Sequence, residues 1–172
     1  MESALAYLQS ASNDLNTDLE LQFESNLGKT LNRFEIFSKN NNTYELLFSK
    51  IQSTIKNLND LIASTELKSN PCKKMAKRMK SKLYFFMKKL MNPYCKDSLT
   101  KNIIDDTVSE LDMLLNTIPK TSFNNERHVN VLIIALKYKI RLLKNSIVIL
   151  DDIIDDQIDY QNQKSNMFCQ IF

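Results

Sequence analysis

A cysteine stands four residues from the end of the sequence, which reads Cys169-Gln170-Ile171-Phe172. Protein prenyltransferases recognise such an ending, and a terminal phenylalanine is typical of boxes that receive a geranylgeranyl group. Prenyl transfer needs a cysteine in an extended segment, and the polar residues 161–166 are expected to form a flexible linker that allows this. The sequence therefore predicts lipidation at Cys169. Since one lipid gives only marginal, reversible membrane binding, a second signal or a partner is also expected.

A basic stretch offers that second signal, because residues 68–96 hold ten positive side chains and no negative one. Its apolar residues recur at helical spacing and predict a helix over 73–91. The predicted contact patch comprises the cationic residues Lys73, Lys74, Lys77, Arg78, Lys80, Lys82, Lys88 and Lys89. Its target is either an anionic membrane surface or nucleic-acid phosphates. The alternative is a solvated face of a bundle helix, whose field acidic segments offset.

Five carboxylates near the end of the sequence form a third cluster: Asp151, Asp152, Asp155, Asp156 and Asp159. Their D-D-x-x-D spacing is similar to the motif with which the all-helical class I isoprenoid synthases hold magnesium against a diphosphate. The resemblance covers nine residues, and the chain is too short for that fold. The spacing instead favours the acidic, solvated end of a helix, so these aspartates are a weak metal candidate. No cofactor is predicted.

The sequence contains few other residues that could take part in catalysis. His128 is the only histidine, and the sequence contains neither a glycine-rich phosphate loop nor a nucleophile beside a base. Cys72 and Cys95 stand at the two ends of the basic helix, about 28 Å apart if that helix is straight, which is too far for a disulfide. The neighbouring lysines predict a slightly acidic thiol at Cys72. We therefore predict that the protein is not an enzyme.

Composition sets the frame for these residues. A chain of 172 residues with one glycine and three prolines has almost no turn chemistry for hairpins, so an all-α fold follows. That length suits a single domain that buries roughly 70% of its unfolded surface. No apolar run is long enough to cross a membrane, and the first residues lack the features of a secretory signal. The expected location is cytoplasmic, with a nuclear location as the alternative.

Hydrophobic periodicity divides the chain into five helical segments. The predicted helices cover residues 3–38, 42–68, 73–91, 98–118 and, as the central helix of the bundle, 129–160. Gly28 is either a tolerated weak point or a break in the first helix. Asn42 and Glu45 have the spacing of a capping box at the start of the second. Short connections make sequential helices antiparallel, which predicts an up-and-down bundle.

The last helix organises this bundle. Two rows of a strict heptad contain Ile133, Ile140, Ile147 and Ile154, and Val129, Leu136, Leu143 and Leu150. Further apolar residues lie off that seam: Leu132, Ile134, Leu142, Val148, Ile149 and Ile153. Apolar residues on nearly every side indicate burial among several partners. If the seam were exposed instead, it would favour a two-stranded homodimer.

The sequence thus predicts an all-α, up-and-down bundle of four to five long amphipathic helices around a central C-terminal helix. Residues 1–160 form the bundle domain, and residues 161–172 form a flexible tail. The predicted function is a non-enzymatic interaction or adaptor protein, held peripherally at a membrane by a prenyl group on Cys169. The alternative is a subunit of a larger helical complex, associated with nucleic acid through the basic helix. The predicted partners are other proteins, a second copy or an anionic membrane.

Overall fold

The computed structural model describes residues 2–64, 70–95, 98–117 and 125–169, and this part of the chain is helical with no strand. Five helices span Glu2–Asn40 (α1), Glu45–Ala63 (α2), Asn70–Leu90 (α3), Ser98–Thr117 (α4) and Glu126–Cys169 (α5). A short 3-10 turn, Asn42–Tyr44, joins α1 to α2. The predicted all-α helical bundle is confirmed.

Four of the helices form the corners of a bundle. α2 packs against α3 and α4, and α5 packs against the same two helices from the other side. α1 lies outside this group, along α2 and α3. Among the described residues α3 and α4 do not touch, although they are neighbours in sequence, so their connection crosses the bundle diagonally.

Helix directions follow from contacts that advance together along two helices. These contacts join Lys50 with Asp105 and Asn57 with Asn116, and Glu20 with Lys77 and Glu24 with Lys80. α2 is therefore parallel to α4, and α1 is parallel to α3. The eight residues between α4 and α5 reach at most about 29 Å, which turns α5 back along α4. The bundle thus consists of two antiparallel hairpins, α2 with α3 and α4 with α5, lying side by side.

The core lies where α3 meets its neighbours. The largest fully buried side chains are Phe34, Phe86, Leu47, Ile51, Leu58, Leu61, Met79, Leu83, Met87, Leu90 and Leu111. α3 supplies five of them, because its apolar residues return at three- and four-residue steps to one side of the helix. Each such side chain contributes roughly 1.5–3 kcal/mol by leaving water. The basic helix is therefore also the most deeply packed one.

The corner between α1 and α2 differs from the sequence prediction at three points. α1 continues through Gly28, whose surroundings are open, so the glycine does not break the helix. The predicted capping box is wrong, since α2 begins at Glu45 after the 3-10 turn without a side-chain cap. Instead, the Asn41 side chain donates a hydrogen bond of 2.9 Å to the Phe37 carbonyl and closes the end of α1. α2 ends at Ala63, short of the predicted Lys68.

The end of α3 and the start of α5 agree better with the sequence. α3 ends at Leu90. In the turn that follows it, the Asn92 side-chain oxygen accepts a hydrogen bond from the Tyr94 amide at 3.0 Å. At the start of α5, the Asn125 side chain accepts one from the Arg127 amide at 3.0 Å. An asparagine in that position satisfies an amide that has no partner within the helix. Local side-chain chemistry thus sets both ends.

α5 lies at a corner of the bundle and not at its centre. Its buried inner row comprises the heptad residues Val129, Leu136, Leu143, Leu150 and Ile154 together with Leu132, whereas the heptad residues Ile133, Ile140 and Ile147 are partly buried. The opposite side carries the exposed apolar residues Val131, Ile134, Tyr138, Val148 and Ile149. α3 and α4 cover only one face of α5, because α1 packs on the far side of α3. The off-seam residues therefore divide between the core and the solvent.

Candidate interaction surfaces

The predicted basic patch on α3 is partly consumed by ion pairs within the fold. Lys77 pairs with Glu20 at 2.5 Å, and Lys80 pairs with Glu24 at 2.5 Å. The side chain of Lys80 is only 4% exposed, so its charge is desolvated and depends on that partner. These two pairs join α1 to α3. They place carboxylates of α1 beside two cations of the patch, of which Lys80 is buried and Lys77 stays exposed.

The C-terminal end of the patch is also engaged. Lys89 forms an ion pair with Asp151 of α5. The Lys88 amine lies 5.4 Å from the centre of the Tyr84 ring, which is a cation–π distance. Lys74 and Arg78 remain exposed, and Lys73 and Lys82 are half-buried. For these four residues, the described part of the chain contains no ion pair. The patch is thus narrower than the sequence predicts.

The exposed cations Lys74, Arg78 and Lys88 form a strip along α3, and one apolar side chain lies within it. Phe85 is 44% exposed on α3. By helical periodicity it shares a side of the helix with Lys74, Arg78 and Lys88. The strip therefore combines cations with an aromatic ring that water covers poorly. Both features suit an anionic, partly apolar surface such as a lipid headgroup layer.

α5 extends well beyond the bundle. Ile154 is the last buried residue among the α5 side chains that the structure describes, which end at residue 165, and the helix continues to Cys169. Residues 159–165 are all exposed. The first part of the predicted tail is therefore helical, since it contains no proline or glycine to end the helix. The flexibility of the tail stays a prediction, and residues 170–172 lie outside the described part of the chain.

The five aspartates of α5 differ in exposure and partners. Asp151 is half-buried and pairs with Lys89, whereas Asp152, Asp155, Asp156 and Asp159 are exposed. In the described segments, no three carboxylate, histidine or cysteine side chains converge in a way that would hold a metal ion. The spacing similar to a diphosphate-binding motif is therefore not accompanied by such a cluster.

The other reactive side chains differ in their burial. Cys72 is fully buried, and burial raises the pKa of its thiol from 9.0 to about 11. The prediction of a more acidic thiol is wrong, because desolvation outweighs the neighbouring lysines, which point away from the core. Cys95 is half-buried. His128 is exposed in the first turn of α5, as the sequence predicts. A buried, protonated thiol is a poor nucleophile.

A cleft of about 570 Å³ opens between α1, α2 and α3. Its apolar wall consists of Leu19, Phe23 and Ile62. Its polar wall is formed by the two α1–α3 ion pairs described above. Because each lysine already faces a glutamate, the cleft offers no uncompensated charge to a ligand.

Polar contacts also join the two hairpins. Lys50 of α2 pairs with Asp105 of α4 at 3.1 Å. Asp112 of α4 accepts hydrogen bonds from Ser53 at 2.8 Å and from Asn57 at 3.2 Å. Within the α4–α5 hairpin, Lys139 of α5, which is largely buried, pairs with Glu110 of α4. Sequence reasoning missed these pairs, since partners 29 to 59 residues apart leave no local pattern.

The exposed side of α5 is the largest feature that sequence reasoning misjudged. We define the outer face of α5 as the exposed residues Arg127, Val131, Ile134, Tyr138, Arg141, Asn145, Val148, Ile149, Asp152, Asp156 and Asp159. By helical periodicity these residues share one side, opposite the buried row. The signal was present in the sequence, since Val131, Ile134 and Tyr138 repeat at steps of three and four. Of these three residues only Ile134 was among those predicted to be buried off the seam, and that prediction is wrong for Ile134, Val148 and Ile149.

No protein-family model, curated protein or solved structure matches this chain. Within the described ranges, no helix is both long and apolar enough to span a bilayer.

Proposed function

We propose that the protein is a non-enzymatic helical interaction protein, held at a cytoplasmic membrane surface by a prenyl group on Cys169. The observation that carries this proposal is the extension of α5. The helix runs fifteen residues past Ile154, the last buried position up to residue 165, and so carries the backbone of Cys169 about 22 Å beyond Ile154. A lipid attached there is clear of the packed helices, and the bundle is free to bind partners.

The terminal box supplies the chemistry. The thiol of Cys169 displaces diphosphate from the isoprenoid, so a carbon–sulfur bond forms and diphosphate leaves. The enzyme needs the last four residues at a free carboxyl terminus and in extended form. Cys169 is the last residue of α5, where helix carbonyls have no partner within the helix. Unwinding this final turn therefore costs little.

The cationic strip on α3 provides the second membrane signal that one lipid requires. Lys74, Arg78 and Lys88 are exposed on either side of Phe85. Each cation near an anionic leaflet contributes about 1 kcal/mol, and the ring adds apolar burial in the interface. Lys77, Lys80 and Lys89 contribute less, since carboxylates already neutralise them.

The same pairing weakens the nucleic-acid alternative. Three of the eight predicted cations face carboxylates of α1 or α5. Phosphate binding draws its affinity from cations that release counterions from the nucleic acid. An electrophoretic shift assay in low salt compares the wild type with the double variant Lys74→Glu, Arg78→Glu. Salt-sensitive binding that this variant loses would favour the nuclear alternative over the membrane proposal.

Membrane fractionation in a eukaryotic cell tests the anchor. The wild-type chain, with a tag at its N-terminus, is expected mainly in the membrane fraction, and Cys169→Ser in the supernatant. Cys95→Ser is the matched control, because it removes another thiol that is not fully buried and leaves the terminal box intact. If Cys169→Ser keeps the wild-type distribution, the lipid anchor is wrong.

A reaction with purified components tests the chemistry directly. The chain is incubated with geranylgeranyl diphosphate and a protein geranylgeranyltransferase, and its intact mass is measured. We expect the mass to increase by one isoprenoid group in the wild type. We expect no increase after Cys169→Ser, nor after addition of two glycines behind Phe172, which displaces the box from the terminus. An unmodified wild-type chain would contradict the proposal.

A further inference from the structure

The outer face of α5 exposes apolar side chains that no described residue covers. Val131 and Ile134 are 51% and 67% exposed, and Tyr138 is 58% exposed. Val148 and Ile149 form a second apolar group that begins ten residues after Tyr138. Arg141 and Asn145 separate the two groups. An apolar strip of this length along one helix is unusual for a surface that faces only water.

Charge is distributed unevenly along the same face and its margins. The N-terminal half carries the exposed cations Arg127, Lys137, Arg141 and Lys144. The C-terminal half carries the exposed anions Asp152, Asp155, Asp156 and Asp159. Glu126 and Lys164 have the opposite sign in each half, and helical periodicity places both towards the sides. One end of the face is therefore positive and the other negative.

We propose that a second copy of this chain docks on the outer face of α5, with the two helices antiparallel. A two-fold axis between Arg141 and Asn145 brings Tyr138 of each copy against the Val148 and Ile149 group of the other. It also brings Arg127 near Asp156 and Asp159. The Tyr138 contact and the charged ends are complementary across this axis, as a two-fold interface requires, and Ile134 faces Asp152 of the other copy. This inference rests on the interaction role proposed above and not on the lipid.

The charge pattern favours a second copy of the chain as the partner and an antiparallel orientation of the two helices. Parallel helices would place Arg127 and Arg141 against the same cations of the other copy, and the exposed aspartates of the face against the same anions, which is unfavourable. An anionic membrane would attract the first half of the face and repel the second. An antiparallel copy satisfies both halves at once. The inner heptad seam, which would favour a parallel coil, is already occupied by α3 and α4.

The area of the outer face of α5 indicates the affinity that is expected for the dimer. A strip of 33 residues is about 50 Å long and 10–12 Å wide, or roughly 550 Å² per copy. A total of about 1,100 Å² lies at the lower end of specific interfaces. We therefore expect a dimer that dissociates at micromolar concentrations and not an obligate one.

Sedimentation equilibrium of the purified chain tests the interface. The Cys169→Ser background is used throughout, so the result does not depend on prenylation. Ile134→Glu is expected to weaken the dimer at least about tenfold, because a carboxylate would be desolvated against the partner. Met113→Glu on α4 is the matched control, since Met113 is 66% exposed and lies away from α5's outer face. Circular dichroism confirms that both variants keep their helices.

Cross-linking tests the orientation. Single cysteines are introduced as Asn145→Cys or Asn130→Cys after Cys95→Ser, and a short bis-maleimide is added. Cys72 is buried and does not react. In the antiparallel dimer the two residues at 145 lie within about 10 Å, whereas those at 130 are about 39 Å apart. Only Asn145→Cys should yield a covalent dimer.

Three results would overturn the proposal. The first is a monomer at all concentrations up to the millimolar range. The second is a dimer that Ile134→Glu and Met113→Glu affect equally. The third is equal cross-linking at 130 and 145, which indicates parallel helices. A failure of the anchor in the cell experiment leaves all three measurements unchanged, so the two proposals can fail separately.

Discussion

The two faces of α5 have similar residues and opposite surroundings. On the inner face, Leu136 and Leu143 are essentially inaccessible to solvent. On the outer face, Ile134 and Val148 have more than half of their surface exposed. The inner residues follow the heptad rows or lie beside them, and the outer ones lie on the opposite side. The hydrophobicity of single residues does not show which side of a helix faces the core. The side on which apolar residues repeat over the greatest length does.

A truncation on each face gives the largest expected contrast. Leu143→Ala removes a side chain that is 1% exposed, and we expect it to lower the free energy of unfolding by about 2–5 kcal/mol. Ile134→Ala should change that free energy by less than about 0.5 kcal/mol, because no cavity forms. Urea denaturation at low protein concentration, where the chain is monomeric, measures both. Equal losses would contradict the assignment of the faces.

The same contrast between inside and outside applies to the lysines of α3. Glu24→Gln leaves the nearly buried Lys80 without its carboxylate, and we expect a loss of about 1–2 kcal/mol in the free energy of unfolding. Glu20→Gln is the matched change at the exposed pair with Lys77 and should cost less than about 0.5 kcal/mol. Chemical denaturation at low ionic strength compares them. A larger effect for Glu20→Gln would show that Lys77 is the desolvated amine.

The buried thiol of Cys72 predicts a pH effect with a definite sign. Its pKa is about 11 in the folded chain, against 9.0 ordinarily, so the folded form holds its proton where the unfolded form releases it. This contribution is fully present below pH 9 and is lost as the pH rises to 11. Between pH 8 and pH 10 the free energy of unfolding should fall by about 1 kcal/mol more in the wild type than in Cys72→Ala. Parallel curves for the two proteins would contradict the raised pKa.

A polar residue on an inner face provides the smallest contrast. Thr54 of α2 is fully buried, and its hydroxyl has no hydrogen-bond partner among the described residues. Thr54→Val replaces this hydroxyl with a methyl group and should raise the free energy of unfolding by about 0.5–1 kcal/mol. Thermal denaturation detects the change. Ser53→Ala is the control, and it should lower stability because Ser53 donates to Asp112 at 2.8 Å.

The sequence predicted the helices and the inner rows well for a simple reason. Burial along one face repeats at the helical period, so Val129, Leu136, Leu143 and Leu150 reveal themselves without a structure. The absence of turn chemistry likewise made an all-α fold unavoidable. Prediction was weaker at helix ends. At Ala63, where α2 stops five residues early, no proline or glycine marks the end.

The packing partners could not be predicted. A short connection fixes the relative direction of two helices but not the corner that the second one occupies. α3 and α4 were therefore expected to be neighbours, whereas α2 with α4 and α3 with α5 pack together instead. Lys80 illustrates the result for the candidate site. It looked like any other lysine of the basic patch, and only the position of α1 shows that it is buried against Glu24.

The diagonal connection between α3 and α4 has a consequence for how the chain folds. Contacts within each hairpin close through short connections, whereas contacts between hairpins join residues 55 to 62 positions apart, such as Lys50 with Asp105 and Lys89 with Asp151. Closing such long loops is entropically costly and slow unless local structure forms first. We therefore expect the two hairpins to form early and to dock late, with Asp112 acting in the docking step. Asp112→Ala should then slow refolding in a stopped-flow experiment. If Asp112→Ala changes only the unfolding rate, the Asp112 contacts form after the folding transition state, and this expectation is wrong.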